Sequence, residues 1–224
     1  MTTQQVADEF EKGFGPEVSK MQGFRQYLGA TIITDDQLVF FFNVFETRSQ
    51  AEIAQTKAAD FKKNGVLNDQ IGKVRFSEGQ YDFLFTSNNC GSLKSHYIVT
   101  RIWQLIDAAS FTAQDVADEL EAGYAPDVMK RDGFNAYGGV ILDSGMNLFY
   151  NSFTTEAAAA DASSGAAGFF ANGKLNGQVK KVQFDEGKIS FHLLCDNSVN
   201  AANRPFVSAV VAILLVVVTL FAVL

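Results

Sequence analysis

One segment occurs twice in this chain: "VADEFEKGFGPEV" runs from Val6 to Val18, and "VADELEAGYAPDV" from Val116 to Val128. An internal repeat constrains a fold more than any single element does, because whatever one copy builds the other must build again. The match continues well beyond this segment. "GFRQYLGATI" (23–32) faces "GFNAYGGVIL" (133–142), and "FFNVFET" (41–47) faces "FYNSFTT" (149–155). Further on, "DFKKNGVLN" (60–68) faces "GFFANGKLN" (168–176), and "VRFSEGQYDF" (74–83) faces "VQFDEGKISF" (182–191). Two copies are too few to stack as a solenoid, so a pair of packed domains is expected.

Each copy carries the same order of elements. Val6, Phe10, Phe14 and Val18 fall at helical spacing, as do Val116, Leu120, Tyr124 and Val128. Pro16 and Pro126 sit late in these helices and should kink or end them. Two β-type runs follow, Phe24–Ile33 and Leu38–Phe45, joined by "TDDQ" in the first copy and "DSGMN" in the second. A second helix spans about Gln50 to Lys63; its counterpart, "EAAAADASSGAAGFF", is made of small residues. A last β segment should turn at "SEGQ" or "DEGK", through Gly79 or Gly187. Between the copies, "HYIVTRIWQL" (96–105) reads as a strand, which gives the second copy the ferredoxin-like order β-α-β-β-α-β. The first copy lacks that opening strand. Its sheet edge would stand open, an aggregation hazard unless the chain compensates or an upstream start supplies the strand.

The C-terminal "FVSAVVAILLVVVTLFAVL" (206–224) carries no charge. As a helix its 19 residues reach about 28 Å, close to bilayer thickness, and it has no polar stripe. Its valine content would suit a buried strand, but it is too long for one. The expectation is one transmembrane helix, either a tail anchor with cytosolic domains or the removable tail of a lipid-anchor signal. The N-terminal "MTTQQVADEFEKGFG" is acidic and is not a secretory signal.

The segments "EKGFGPEVSKMQGFRQY" and "FFFNVFETRSQAEIAQTKAADFKKN", with their second-copy counterparts, resemble the antibiotic biosynthesis monooxygenase-like domains of the dimeric α/β barrel superfamily. The resemblance covers most of residues 5–192 and marks the fold rather than an activity. It implies an α+β fold: two tandem ferredoxin-like domains (1–89 and 90–194) closing as an intramolecular α/β-barrel pseudo-dimer. A linker (195–205) and the transmembrane helix (206–224) would follow. It also implies a ligand held between sheet and helices, in a superfamily that includes cofactor-free oxygenases, haem-degrading enzymes, isomerases and members without assigned activity. The haem-degrading pattern of Asn, Trp and His cannot be placed on this chain, so no cofactor is expected.

Composition narrows the partners. The net charge is −7 and the 18 Lys and Arg residues form no cluster, which argues against nucleic acid. The 21 Phe residues are ample for two cores. Expected partners are therefore the membrane, through Phe206–Leu224, and a small hydrophobic ligand, with the chain a monomer.

Candidate site residues are few. Asn43 and Asn151 each share a strand face with phenylalanines, where an amide needs either a ligand or a helix end or neighbouring strand to bond. Tyr27, Tyr137 and Trp103 either line a cleft or fill a core with their polar tips bonded. His96 and His192 lie on strands that neighbour each other in a ferredoxin-like sheet, but two histidines make no metal site without further ligands, for which Cys195 and Asp196 are nearby. Cys90 and Cys195 occupy matching places and could pair in an oxidising compartment. No nucleophile-base spacing stands out. Two functional readings result: a small-molecule-binding protein with an oxygenase-like enzyme as its catalytic form, and a structural or interaction domain displayed at a membrane. An enzyme predicts asymmetry between the copies, with polar residues kept in one cleft and lost from the other.

Overall fold

The computed structural model describes residues 1–33, 35, 37–68, 70–87, 93, 95–194 and 210–218, with backbone alone at 73–76, 194 and 210–218. Cys90, Cys195 and the 195–205 linker lie outside the described residues. Helix α1 (Thr3–Glu9) is closed at its start by a capping box between Thr2 and Gln5. A π-helical turn (Phe10–Phe14) and the short α2 (Gly15–Val18) continue it. The helical run thus continues through Pro16 to Val18 and does not end there. The proline lies in the first turn of α2, where a missing N–H costs nothing, and the wider turn before it accommodates the ring. Then come β1 (Phe24–Ile32), β2 (Leu38–Phe45), α3 (Arg48–Asn64) and β3 (Ile71–Thr86). The second copy runs β4 (Tyr97–Leu105), α4 (Ala113–Glu119), a π-helical turn (Leu120–Tyr124), α5 (Ala125–Val128), β5 (Phe134–Leu142), β6 (Asn147–Phe153), α6 (Glu156–Asn172) and β7 (Val179–Leu194).

The final described element overturns the membrane-helix expectation. Val210–Val218 is a strand, β8, paired antiparallel with β2 on one edge and β3 on the other. Among the described residues no helix is long and apolar enough to cross a membrane. The physical reason is the open edge noted above: β2 and β3 each present a row of unpaired backbone groups, and an apolar segment with high β-propensity fills the gap. Strand β8 sits between β2 and β3 as β4 sits between β6 and β7, so the first copy's missing strand comes from the far end of the chain.

The eight described strands form a closed antiparallel barrel in the order β1-β2-β8-β3-β5-β6-β4-β7. No turn forms at Gly79 or Gly187, contrary to expectation. Instead β3 and β7 are continuous strands of 16 residues. Strand β3 pairs with β8 over Ile71–Gln80 and passes to β5 at Gly79, pairing as far as Thr86. Strand β7 pairs with β4 over Val179–Lys188 and passes to β1 at Gly187. The glycines serve a close approach: a Cβ at Gly79 would stand 2.5 Å from the Ile141 carbonyl oxygen, and one at Gly187 2.8 Å from that of Thr31.

Both faces of the sheet are buried, as the phenylalanine-rich β2 anticipates; all eight of its residues are buried. Leu28, Phe42, Tyr81, Val140, Tyr150 and Ile189 point into the barrel. There Phe42 and Tyr150, matching positions of the two copies, meet at 5.3 Å between ring centroids, and the Tyr81 and Tyr150 hydroxyls are 2.7 Å apart. The other face carries two helix-covered cores. The first packs Phe10, Phe14 and Val18 on Phe41 and Phe45 and includes Phe191 of β7. The second packs Leu120, Tyr124 and Val128 on Phe149 and Phe153 and includes Phe83 of β3. Each core thus holds the end of a strand from the other copy.

Candidate functional site

Alternation along the strands decides where the candidate residues face. In β2, Phe40 and Phe42 point into the barrel while Phe41 and Phe45 point to the helices, so Asn43 faces the helices. In β6 the same parity places Asn151 under the second helix layer with Phe149 and Phe153. Tyr27 stands beside Asn43 in register, and Tyr137 beside Asn151. Both tyrosines are 2% exposed, and burial raises their phenol pKa well above the ordinary value, so they act as neutral rings.

The sequence left two partners open for the asparagines, a ligand or a helix end or neighbouring strand. Asn151 bonds neither helix end nor strand: it is 0% exposed, and both its amide nitrogen and its oxygen are buried without a hydrogen-bond partner. The Asn43 Oδ1 is likewise unpartnered. Trp103 also departs from the expectation of a bonded polar tip, since its Nε1 is buried without an acceptor.

What sequence reasoning missed lies beside Asn151. Arg101 is on β4, two residues from Val99, which pairs in register with Asn151; Arg101 itself pairs with Phe149 and Phe184. Its side chain therefore faces the helices with Asn151, and the residue is only 6% exposed. Nη2 donates to Ser163 Oγ of α6 at 2.7 Å, and that hydroxyl donates to the Ala159 carbonyl at 3.0 Å. Cζ lies 5.3 Å from the Phe184 ring centroid. Among the described residues no carboxylate forms an ion pair with this guanidinium. Burial lowers its pKa, while Tyr124, Tyr137 and Glu186 act in the opposite direction. An arginine remains charged throughout the physiological range regardless.

A cleft of about 270 Å³ opens along this arginine between β4, β7 and α6. Trp103 and Phe170 form one wall, stacked at 3.9 Å and 15°. Phe184 lies on the other side with Lys181, whose Nζ is 4.7 Å from the ring centroid. The small side chains of α6 leave the space: Ala166, Ala167 and Ser164 border it. At the core end, Tyr124 donates to the Ala162 carbonyl at 2.7 Å and packs edge-on against Tyr137. The cleft offers N–H donors and flat apolar walls, and none of its lining residues forms a nucleophile-base pair.

The corresponding place in the first copy is built differently. Leu214 of β8 occupies the register position of Arg101, between Phe41 and Phe76 as Arg101 lies between Phe149 and Phe184. Val216 occupies that of Trp103. On α3, aligned from its first residue with α6, Gln55 and Lys62 replace Ser163 and Phe170. The two halves thus differ in kind: on the strands the second copy has arginine and tryptophan where the first has leucine and valine, whereas on the helices the first copy carries the more polar residues. The signal in the sequence was the arginine within "VTRIW", a lone charge on the helix-facing alternation of an otherwise apolar strand.

The histidines lie elsewhere. His192 pairs in register with barrel-facing Leu28, and its Nε2 is 2.9 Å from Gln26 Nε2. Its Nδ1 is buried without a partner. His96 Nδ1 is 3.1 Å from the Asn135 amide. The two imidazoles influence each other electrostatically but bond different neighbours. Among the described residues no three His, Cys, Asp or Glu side chains are grouped to hold a metal.

No protein-family model matches the chain, and no curated protein does. Two solved structures are similar to it. One, provisionally called a monooxygenase, is from Lactobacillus acidophilus NCFM; at 9% identity it covers 87% of this chain and 90% of its own, with a TM-score of 0.47. The other is an anthrone oxidase-like protein, 14% identical over 90% of this chain and 91% of its own, with a TM-score of 0.58. The chain shares the fold of that anthrone oxidase-like protein.

Proposed function

We propose that this protein binds a small, flat, hydrophobic molecule in the cleft of the second copy, within a barrel that closes on itself as a monomeric pseudo-dimer. The observation that carries this reading is the difference between the copies at one register position, Arg101 against Leu214. A purely structural repeat has no reason to bury an arginine with no carboxylate bonded to it in one copy and place leucine in the other, because a buried charge without a bonded partner is costly; Glu186 acts on Arg101 only at a distance. Space agrees: an apolar cavity of about 150 Å³ accommodates benzene, so about 270 Å³ suits one or two rings. Enzymatic oxidation of that ligand is a second reading, favoured by the fold shared with the anthrone oxidase-like protein.

Trp103, the chain's one tryptophan, borders the cleft and reports occupancy by its fluorescence. Brominated single-ring aromatics should quench it saturably, and Ala167→Phe at the cleft's border should abolish saturation. Collisional quenching alone, or quenching indifferent to Ala167→Phe, would remove the binding reading.

A further inference from the structure

The binding reading leaves the ligand's chemistry open, and the charges around the cleft restrict it. Two cations, Arg101 and Lys181, line it, and no carboxylate does. This occurs in a chain of net charge −7, where an acid would be the more available neighbour. One Arg101 donor is satisfied by Ser163, and a guanidinium has five. Glu186 acts on the guanidinium from a distance but does not bond it, and a buried guanidinium with no bonded carboxylate is destabilising unless something else supplies the anion. The small α6 side chains beside Arg101 fill little of the space and leave the cleft open at that point, while Trp103, Phe170 and Phe184 make its walls aromatic.

We infer that the ligand is a small aromatic carboxylic acid whose carboxylate is the counter-ion of Arg101 and whose ring lies along the Trp103–Phe170 wall. This rests on the cleft being a binding site and adds the class of molecule it takes. Arg101 is the specificity-determining residue. Its remaining N–H donors suit the two oxygens of a carboxylate, whereas a neutral amide of the same shape would leave the charge unpaired. Lys181, exposed beside Phe184, adds attraction at the entrance that salt should screen.

The test uses the full chain and a matched pair of probes, 4-bromobenzoate and 4-bromobenzamide, titrated against Trp103 fluorescence and by calorimetry at pH 7. The acid should bind at least tenfold more tightly than the amide. Arg101→Leu should reduce acid affinity to the level of the amide and leave the amide within about threefold. Arg101→Lys should keep part of the preference. The leucine variant is expected to fold because leucine already holds the matching position, 214, of the same barrel; its melting temperature is measured alongside. Equal binding of both probes to the native protein, or an acid preference that survives Arg101→Leu, would overturn the assignment of the acid while leaving the cleft as a binding site. Failure of both probes to bind would remove the binding reading itself.

Discussion

Ending the chain after residue 203 removes β8 and decides between a strand and a free tail. Strand β8 makes eight register pairs with β2 and eight with β3, which amounts to about sixteen backbone hydrogen bonds at about 0.5–1.5 kcal/mol net each. Ordering nine residues costs about 1–2 kcal/mol apiece, so these two contributions nearly cancel. What remains is apolar burial. "VVAILLVVV" lies between two strands of the barrel with α3 packed over it, and full burial is worth about 1.5–3 kcal/mol per large apolar side chain. Even half of that over its eight large apolar residues is about 6–12 kcal/mol, comparable to the entire net stability of a typical domain, about 5–15 kcal/mol. The shortened protein should therefore fail to hold the closed barrel. Hydrogen exchange read by mass spectrometry should show protection lost in β2 and in residues 71–80 of β3, with self-association through the exposed edges. A shortened protein that melts with the full chain and keeps β2 protected would refute the strand assignment.

Three further outcomes follow from side chains. Gly79→Ala should lower stability by about 2–3 kcal/mol, because the added methyl meets fixed backbone, whereas Gly168→Ala, with nothing within 4 Å in mid-helix α6, should raise it by about 0.5–1 kcal/mol; urea titration separates them, and equal effects would contradict the strand crossing. Asn151→Leu should leave stability unchanged or raise it by up to about 2 kcal/mol, with a smaller effect for Asn43→Leu, and a loss above about 1 kcal/mol for Asn151→Leu would mean the amide is bonded after all. Burial, with His96 nearby, lowers the His192 pKa from 6.5 to about 4. Its folded-state value lies below its unfolded one, so stability is full above pH 6.5 and falls as the pH drops towards 4, by at most about 1.4 kcal/mol per pH unit; His192→Gln should flatten urea midpoints across that window, and an unchanged slope would show that His192 is not its source.

The helices and most strands were legible because their periods are visible: four-residue spacing from Val6 to Val18, and the repeated phenylalanines either side of Asn43 and Asn151. The tail was not legible as a strand. A strand covered on both faces shows no alternation, and inside a longer apolar run it has the composition of a membrane helix. Gly79 and Gly187 misled for a related reason, since local rules read glycine as a turn and could not register a neighbouring strand whose carbonyl oxygen an added Cβ would meet at 2.5 or 2.8 Å. Of the residues that line the cleft, the sequence singled out Trp103; Asn151 and Tyr137 share its face of the sheet without lining it. Arg101 was hidden because its meaning depends on its burial and on no carboxylate bonding it, and both are properties of the fold.

The position of β8 also says something about how the elements are ordered. Read cyclically, the chain is two identical rounds of β-α-β-β-α-β, started one strand late. In the second round seven residues, 106–112, connect β4 to α4. Joining Leu224 directly to Met1 would place eight residues, 219–224 and 1–2, between β8 and α1. A circular permutant closed there and reopened between 195 and 209 would then carry both rounds in the same order, with β8 leading the first round as β4 leads the second.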